Sequence, residues 1–280
     1  MTVGGLSIAA MCRCAGLSRA SFYRFLERGE ASEQECRLRD VVERVALDWP
    51  AYGSRRITAH LQRQGWEVNR KRVQRIMREG SLLCLRQPTS WLATTDSKHQ
   101  LPVFANLLAG LEVTAINQLW VADITYIRLR QEFVFLAAIL DAFSRRVIGW
   151  ELQPGLGAGL CLNALEKALR RRQVRPGLIH HSDRGVQYCS KDYVQTLARQ
   201  KIRGSMSRKG NPYDNALAER FWKTLKYEQV YRDEYRSLEQ ARNNIARFIE
   251  RIYNERRLHS ALGYLPPAEF EATAGLGSIA

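Results

Sequence analysis

Asp183 and Glu219, with 35 residues between them, each sit in a run dense in unusual residue types. The first run is Ile-His-His-Ser-Asp-Arg-Gly-Val-Gln-Tyr, residues 179–188. The second is Ser-Arg-Lys-Gly-Asn-Pro-Tyr-Asp-Asn-Ala-Leu-Ala-Glu-Arg-Phe-Trp, residues 207–222. Upstream, Asp123 lies in Leu-Trp-Val-Ala-Asp-Ile-Thr-Tyr-Ile, residues 119–127. Three carboxylates on three segments can hold a pair of divalent metals. Hard cations such as Mg²⁺ or Mn²⁺ take oxygen ligands and keep waters that substrate phosphate oxygens can replace. Two such ions, about 3.5–4 Å apart, activate an attacking oxygen and stabilise a leaving one. Without metal the three charges repel. Each acid also has a plainer reading: Asp123 as a polar residue on an exposed strand face, Asp183 with Arg184-Gly185 as a turn, Glu219 as a surface helical charge. Together these readings are weaker, because polar residues at apolar strand ends need partners.

The elements around these acids can be read from periodicity. Residues 118–130 read as a strand with Asp123 at its centre, residues 132–141 as a nearly all-apolar strand and residues 146–152 as a third. A helix over 157–172 is followed by a short buried strand over 178–181, with Asp183 just beyond it. A helix over 192–200, a strand over 202–205 and helices over 214–229 and 238–254 complete the pattern. Three meandering strands, then alternating helix and strand, describe a mixed sheet flanked by helices, an α/β class. Glu219 falls one turn into a helix that Asp214 could cap. Lys223 and Lys226, four and seven residues later, share its face. They could hold DNA phosphates, although solvation of a helix surface is the plainer reading.

The N-terminal part reads as all-α. Residues 5–28 form two short helices around Gly16, with Ser18 capping the second. A helix over 33–47 precedes Tyr52-Gly53-Ser54, with Ser54 as the N-cap of a helix over 55–64. Asn69 opens a basic helix over 70–79, closed by Gly80. Helix, tight turn and basic helix match the helix-turn-helix plan. Arg70, Lys71, Gln74, Arg75 and Arg78 would face DNA, leaving Val73, Ile76 and Met77 for the core. A solvated charged face is the alternative. The expected organisation is an N-terminal helical segment over 1–31, a helix-turn-helix domain over 32–85, a linker over 86–116, a catalytic core with its C-terminal helix over 117–272 and a tail over 273–280. Within the linker, residues 103–111 read as a short helix.

Composition agrees with a nucleic-acid partner. Lys and Arg number 43 against 28 acids, a formal net charge of +15, spread along the chain. Such a balance favours polyanions, since each neutralised phosphate releases counterions; a basic drift in residue usage is the bland alternative. The six cysteines, Cys12, Cys14, Cys36, Cys84, Cys161 and Cys189, form no zinc spacing. They are expected to be reduced, mostly buried and structural, in a cytoplasmic protein. No signal peptide and no membrane-length apolar run is legible.

These residues carry a family likeness. The chain resembles the transposase of the family founded by insertion sequence three, in its second-reading-frame product. Similar members have Trp-x-x-Asp-Ile-Thr-Tyr, here 120–126, and Leu-Asp-x-Phe-Ser-Arg-x-Val-x-Gly-Trp, here 140–150. They have His-Ser-Asp-x-Gly-x-Gln-Tyr-x-Ser, here 181–190, and the Lys-Gly-Asn-x-Tyr-Asp-Asn-Ala-x-x-Glu run ending at Glu219. They close with Tyr-Asn-x-x-Arg-x-His-Ser-x-Leu-Gly-Tyr, here 253–264, and also share Tyr52-Gly53-Ser54-Arg55-Arg56-Ile57. The likeness covers nearly the whole chain.

The resemblance implies an RNase H-like, retroviral-integrase-like core with Asp123, Asp183 and Glu219 as its DDE triad and metal ligands. The reaction implied is metal-dependent cleavage at the element's terminal inverted repeats, then attack of the freed 3′-hydroxyl on target DNA. One end is usually joined first to the other as a circular intermediate. Lys223 and Lys226 correspond to basic residues that contact DNA in integrases. Such enzymes act as multimers on DNA, and a first reading frame typically adds a further helix-turn-helix and a leucine zipper by frameshifting. This chain has no sustained apolar heptads, and it lacks the His/Cys zinc module of retroviral integrases. Asn254, Arg257 and His259 lie in the last motif, where packing of a turn is the safer reading. Two other functions stay open on residues alone: a non-catalytic repressor occupying element ends, and an RNase H-like nuclease without strand transfer.

Overall fold

The computed structural model describes residues 2–3, 6–26, 33–82, 84, 103–208 and 215–276, and the chain divides into two compact units, Met1–Cys84 and Leu85–Ala280.

In the first unit a two-residue ladder pairs β1 (Thr2–Val3) with β2 (Leu6–Ser7), ahead of α1 (Ile8–Cys14) and α2 (Arg19–Leu26). Ser18 Oγ accepts from the Ser21 amide at 3.0 Å, the cap expected for α2. Three helices follow: α3 (Glu33–Asp48), α4 (Ser54–Arg63) and α5 (Arg70–Glu79). They bury Leu38, Val42 and Val45 against Ile57, Leu61, Val73, Ile76 and Met77, the apolar positions at helical spacing. Asn69 caps α5, its Oδ1 accepting from the Arg72 amide at 3.0 Å. The cap of α4 differs from expectation. Gly53 is the N-cap and makes no side-chain cap bond, while Ser54 is already helical and its carbonyl accepts from the Thr58 hydroxyl.

The second unit is built on a five-stranded sheet in the order β5-β4-β3-β6-β7. Its strands are β3 (Leu119–Arg128), β4 (Phe133–Asp141), β5 (Val147–Gln153), β6 (Ile179–Ser182) and β7 (Arg203–Met206). The first three form an antiparallel meander; β6 runs parallel to β3, and β7 parallel to β6. Helices α6 (Ala158–Arg171) and α7 (Lys191–Arg199) supply the residues packed against Ala122, Ala137, Ile139 and Ile148. Helices α8 (Ala216–Glu228) and α9 (Leu238–Arg247) cover Ile127, Leu136, Ala138 and Leu152. The two residue sets alternate along the strands, so each face has its own helical cover. This is the mixed-sheet, helix-flanked α/β architecture expected.

Five features go beyond the sequence reading or correct it. Residues 103–114 form no helix and pack on the sheet instead of linking: Phe104 lies over Gly204, Leu107 N donates to Ser205 Oγ at 2.9 Å, and Leu107, Leu108, Leu111 and Val113 join an apolar cluster with Leu119 and Val121. The helix expected over 238–254 changes pitch, α9 giving way to a π-helical turn at Phe248–Tyr253. A further helix, α10 (Pro267–Leu276), runs into the residues expected to be tail. The cysteines are free, but only Cys12, Cys161 and Cys189 are buried; Cys14 and Cys36 are exposed. Asp214, the expected cap of α8, lies outside the described residues, and Asn215 takes the N-cap position. No helix among the described residues is long and apolar enough to cross a membrane.

Candidate active site

Three elements bring the acids into one neighbourhood. Asp123 is the fifth residue of β3, level with Ala138 of β4. Asp183 follows β6, whose parallel pairing with β3 places His181 beside Val121. Glu219 lies in the first turn of α8, the helix that packs on β3. Burial pushes the Asp123 carboxyl up to about 8, helped first by the negative charge of Asp183 and then by that of Glu219. Asp123 thus feels the charge of acids carried on two other segments of the chain.

Two of the acids are held in place by hydrogen bonds. Asp123 Oδ1 accepts from the Ile124 amide at 2.9 Å, and its Oδ2 accepts from the Trp222 indole N–H at 2.9 Å. Trp222 sits three residues after Glu219, so one helix face both carries the third acid and orients the first. Asp183 Oδ1 accepts from the Gly185 amide at 3.0 Å. A Cβ at Gly185 would stand 2.9 Å from Gln187 Oε1 and 3.1 Å from Asp183 Oδ1, so glycine is what lets this turn close on the acid. Behind it, buried His181 bonds through both ring nitrogens to Ser205 and Ser207, tying β6 to β7. His180 bonds to the Tyr193 hydroxyl, and burial pushes its imidazole down to about 4. Both histidines are structural here.

Of the two lysines, Lys223 is exposed, while Lys226 is half-buried with its Nζ 4.4 Å from the centre of the Tyr126 ring. Burial lowers the Lys226 pKa, and the negative charge of Asp123 opposes that shift. Sequence reasoning missed Trp222, Tyr126 and Gly185. The three-residue offset of Trp222 from Glu219 was the signal for the first. Among the described residues no three His, Cys, Asp or Glu side chains lie close enough together to hold a metal ion as they stand. The donor chemistry suits a hard cation all the same, since the three acids supply only oxygen.

An integrase core domain model matches residues 113–212, and a second integrase core domain model matches residues 200–267. Residues 33–89 match an HTH-like domain. The insertion element IS600 uncharacterized 31 kDa protein of Shigella sonnei is 38% identical, over 93% of this chain and 97% of its own length. Transposase InsF for insertion sequence IS3A of Escherichia coli is also 38% identical, over 95% of this chain and 94% of its own. The chain belongs to the IS3 family of transposases. Among solved structures, the HTLV-2 integrase catalytic core domain in complex with magnesium aligns at 16% identity with a TM-score of 0.44, over 55% of this chain and 96% of that one.

In the transposase's HTH-like unit, α5 does not present its basic residues uniformly. Arg75 donates to Glu35 Oε1 at 2.7 Å, and Arg72 grips Glu35 Oε2 at 3.0 and 2.6 Å. The Arg72 hydrogen bond leads in holding the Glu35 carboxyl below its ordinary value, with Arg75 and Arg39 adding attraction. Arg70, Lys71 and Arg78 are exposed, and Gln74 is half-buried. The last family motif is structural, as expected. The Asn254 amide bonds both N–H and C=O of Val147, at 3.0 and 2.9 Å, and pins β5. Arg257 is buried in a two-pronged bond to Glu228 of α8, and the His259 backbone bridges to Leu265.

Proposed function

We propose that this transposase cleaves DNA at the ends of its element and joins them to a target through one acidic site, Asp123, Asp183 and Glu219. The observation that carries this reading is the geometry: β6 pairs with β3 just before Asp183, and Trp222, on the helix of Glu219, bonds the half-buried Asp123 carboxyl. The three acids would hold two Mg²⁺ or Mn²⁺ ions. Those ions, when bound, supply the activation of an attacking oxygen and the stabilisation of the leaving one. The chain's own residues do the rest. Trp222 and the Ile124 amide hold the Asp123 carboxylate in orientation. The Gly185 turn fixes Asp183. Lys223 and Lys226, on the helix of Glu219, hold the DNA backbone beside the acids.

In this reading residues 32–85 form the DNA-binding domain, with Arg70, Lys71, Gln74 and Arg78 on phosphates and base edges. Arg75 serves the fold of that domain first. Residues 117–272 form the catalytic core, joined by the packed segment from 103 onward. The partners are the terminal inverted repeats, target DNA and further copies of the chain, with the first-reading-frame product as an additional subunit, on the bacterial nucleoid. The test is strand joining of a labelled element end into plasmid DNA in Mg²⁺. Asp183→Asn is expected to abolish nicking and joining while DNA affinity stays close to wild type. Nicking that survives in Asp183→Asn removes Asp183 from the site. Nicking without joining in the wild type assigns a nuclease instead.

A further inference from the structure

Beyond the acids, the structure carries a second surface feature that the triad does not use. Only three large apolar or aromatic side chains are exposed among the described residues of the second unit, and two of them, Phe133 at 47% and Tyr231 at 41%, belong to one aromatic group. Phe133 meets Tyr126 edge to face, with centroids 5.7 Å apart. Tyr231 meets Tyr227 in the same way at 5.7 Å. Lys226, whose Nζ lies 4.4 Å from the centre of the Tyr126 ring, directly precedes Tyr227 on α8, so the two pairs are neighbours. On α8, Trp222 bonds Asp123 and Lys226 lies over Tyr126, three residues along β3, so the group adjoins Asp123. Across the ladder from Phe133 stands exposed Arg128.

The backbone leaves room for this group. On its β6 side β3 is paired only through Leu119–Val121, so from Ala122 onward that edge has no strand beside it among the described residues. Tyr126 lies on this open stretch. Exposed rings with phenol hydroxyls and cations among them suit a π-face with a phosphate beside it better than a purely apolar partner. In duplex DNA the base faces are stacked on one another; they become available only where strands separate. Every base offers such a face, so stacking on aromatic side chains tolerates any sequence.

We propose that Tyr126, Phe133, Tyr227 and Tyr231 form a stacking platform for unpaired bases of a DNA end, holding the frayed strand while its phosphate lies at Lys226 and the acids. The inference rests on the DNA-processing reading above and adds the form of DNA that the site takes: an end with separated strands.

The test measures binding of the full-length protein to two labelled DNAs of one sequence, a blunt duplex and the same duplex ending in a short single-stranded tail that carries 2-aminopurine. Wild type is expected to bind the tailed DNA more tightly and to quench the 2-aminopurine. Phe133→Ala and Tyr231→Ala are each expected to weaken tailed binding about tenfold, to lose the quench, and to leave blunt-duplex affinity and the salt dependence unchanged. Phe133→Tyr is expected to restore both signals. Both rings are exposed, so unchanged melting curves will confirm that the variants fold. Equal loss on blunt and tailed DNA, or no loss on either, overturns the platform. A change in sedimentation with unchanged DNA binding also overturns it, assigning the patch to contact between copies. If the wild type binds neither DNA, the DNA-processing reading itself fails, a result distinct from binding both alike.

Discussion

Replacing Trp222 by phenylalanine keeps an aromatic ring against Phe221, whose centroid lies 4.8 Å away, and removes a single N–H. That N–H is the donor to Asp123 Oδ2, at 2.9 Å. A hydrogen bond to a charged acceptor contributes about 1.5–3 kcal/mol. At about 1.4 kcal/mol per factor of ten, its loss corresponds to roughly ten- to a hundredfold in whatever depends on the orientation of Asp123. Loss of an orienting partner behind a metal ligand typically costs about the same, 10–100-fold in metal affinity or activity. Trp222→Phe is therefore expected to need about ten- to a hundredfold more Mg²⁺ for half-maximal nicking of a labelled element end. DNA affinity measured in EDTA should not change. The smaller ring leaves a gap in a buried position, so a stability loss of about 1–2 kcal/mol accompanies it. Superimposable metal titrations and rates in wild type and variant would refute the orienting role. A drop in melting temperature alone would then place Trp222 in packing only.

Three further outcomes follow from other parts of the structure. Gly149→Ala puts a Cβ 2.3 Å from the Ala164 carbonyl oxygen and 2.8 Å from the Ala168 amide; these are backbone atoms of α6, so helix and strand must separate, at a cost of about 1–3 kcal/mol or more in urea unfolding. Substituting Arg70, Lys71 and Arg78 together by alanine should weaken DNA binding and flatten its salt dependence by about 0.9 in log–log slope for each phosphate that is no longer neutralised, whereas Arg75→Ala should chiefly lower stability through its broken bond to Glu35 and leave the slope alone. Burial by itself raises the Glu271 carboxyl, but hydrogen bonds from Arg172, Ser144 and Arg146 outweigh it and hold the carboxyl below its ordinary value. The folded state thus binds its proton less readily than the unfolded one, so this stabilisation is present above the ordinary carboxylate range and is lost as pH falls through the lower folded value. Glu271→Gln should accordingly unfold at lower denaturant than wild type near neutrality, with the gap closing in acid.

The strands around Asp123 were legible because β3 and β4 are long and their residues favour a pleated, buried surface; each boundary lay within two residues of the observed one. The acids were legible because polar groups at apolar strand ends are costly without a purpose. What the sequence concealed was mostly long-range. Residues 103–111 have local helical preference, but Phe104 is claimed by Gly204 and Leu107 by Ser205, and tertiary contact overrides propensity. The Pro267-Ala-Glu-Phe-Glu-Ala-Thr-Ala segment shows no apolar stripe, so α10 was invisible until Glu271 found its three partners. Arg75 looked identical to Arg70 on paper, and both are exposed; only the approach of α3 to α5 gives Arg75 its ion pair with Glu35.

The same Glu271 has a consequence for how the protein comes off the ribosome. Ser144 and Arg146, in the turn between β4 and β5, and Arg172, at the end of α6, depend on a carboxylate encoded about a hundred or more residues later. Until residue 271 leaves the exit tunnel, two arginines and a buried serine are without that acceptor. In the first unit the ion pairs of Glu35 and Glu79 close within residues 35–79. Translation therefore delivers a finished HTH-like unit while the core still awaits its final clasp, and a chain cut short before Pro267 would keep the three carboxylates yet lack the closure that steadies the sheet bearing them.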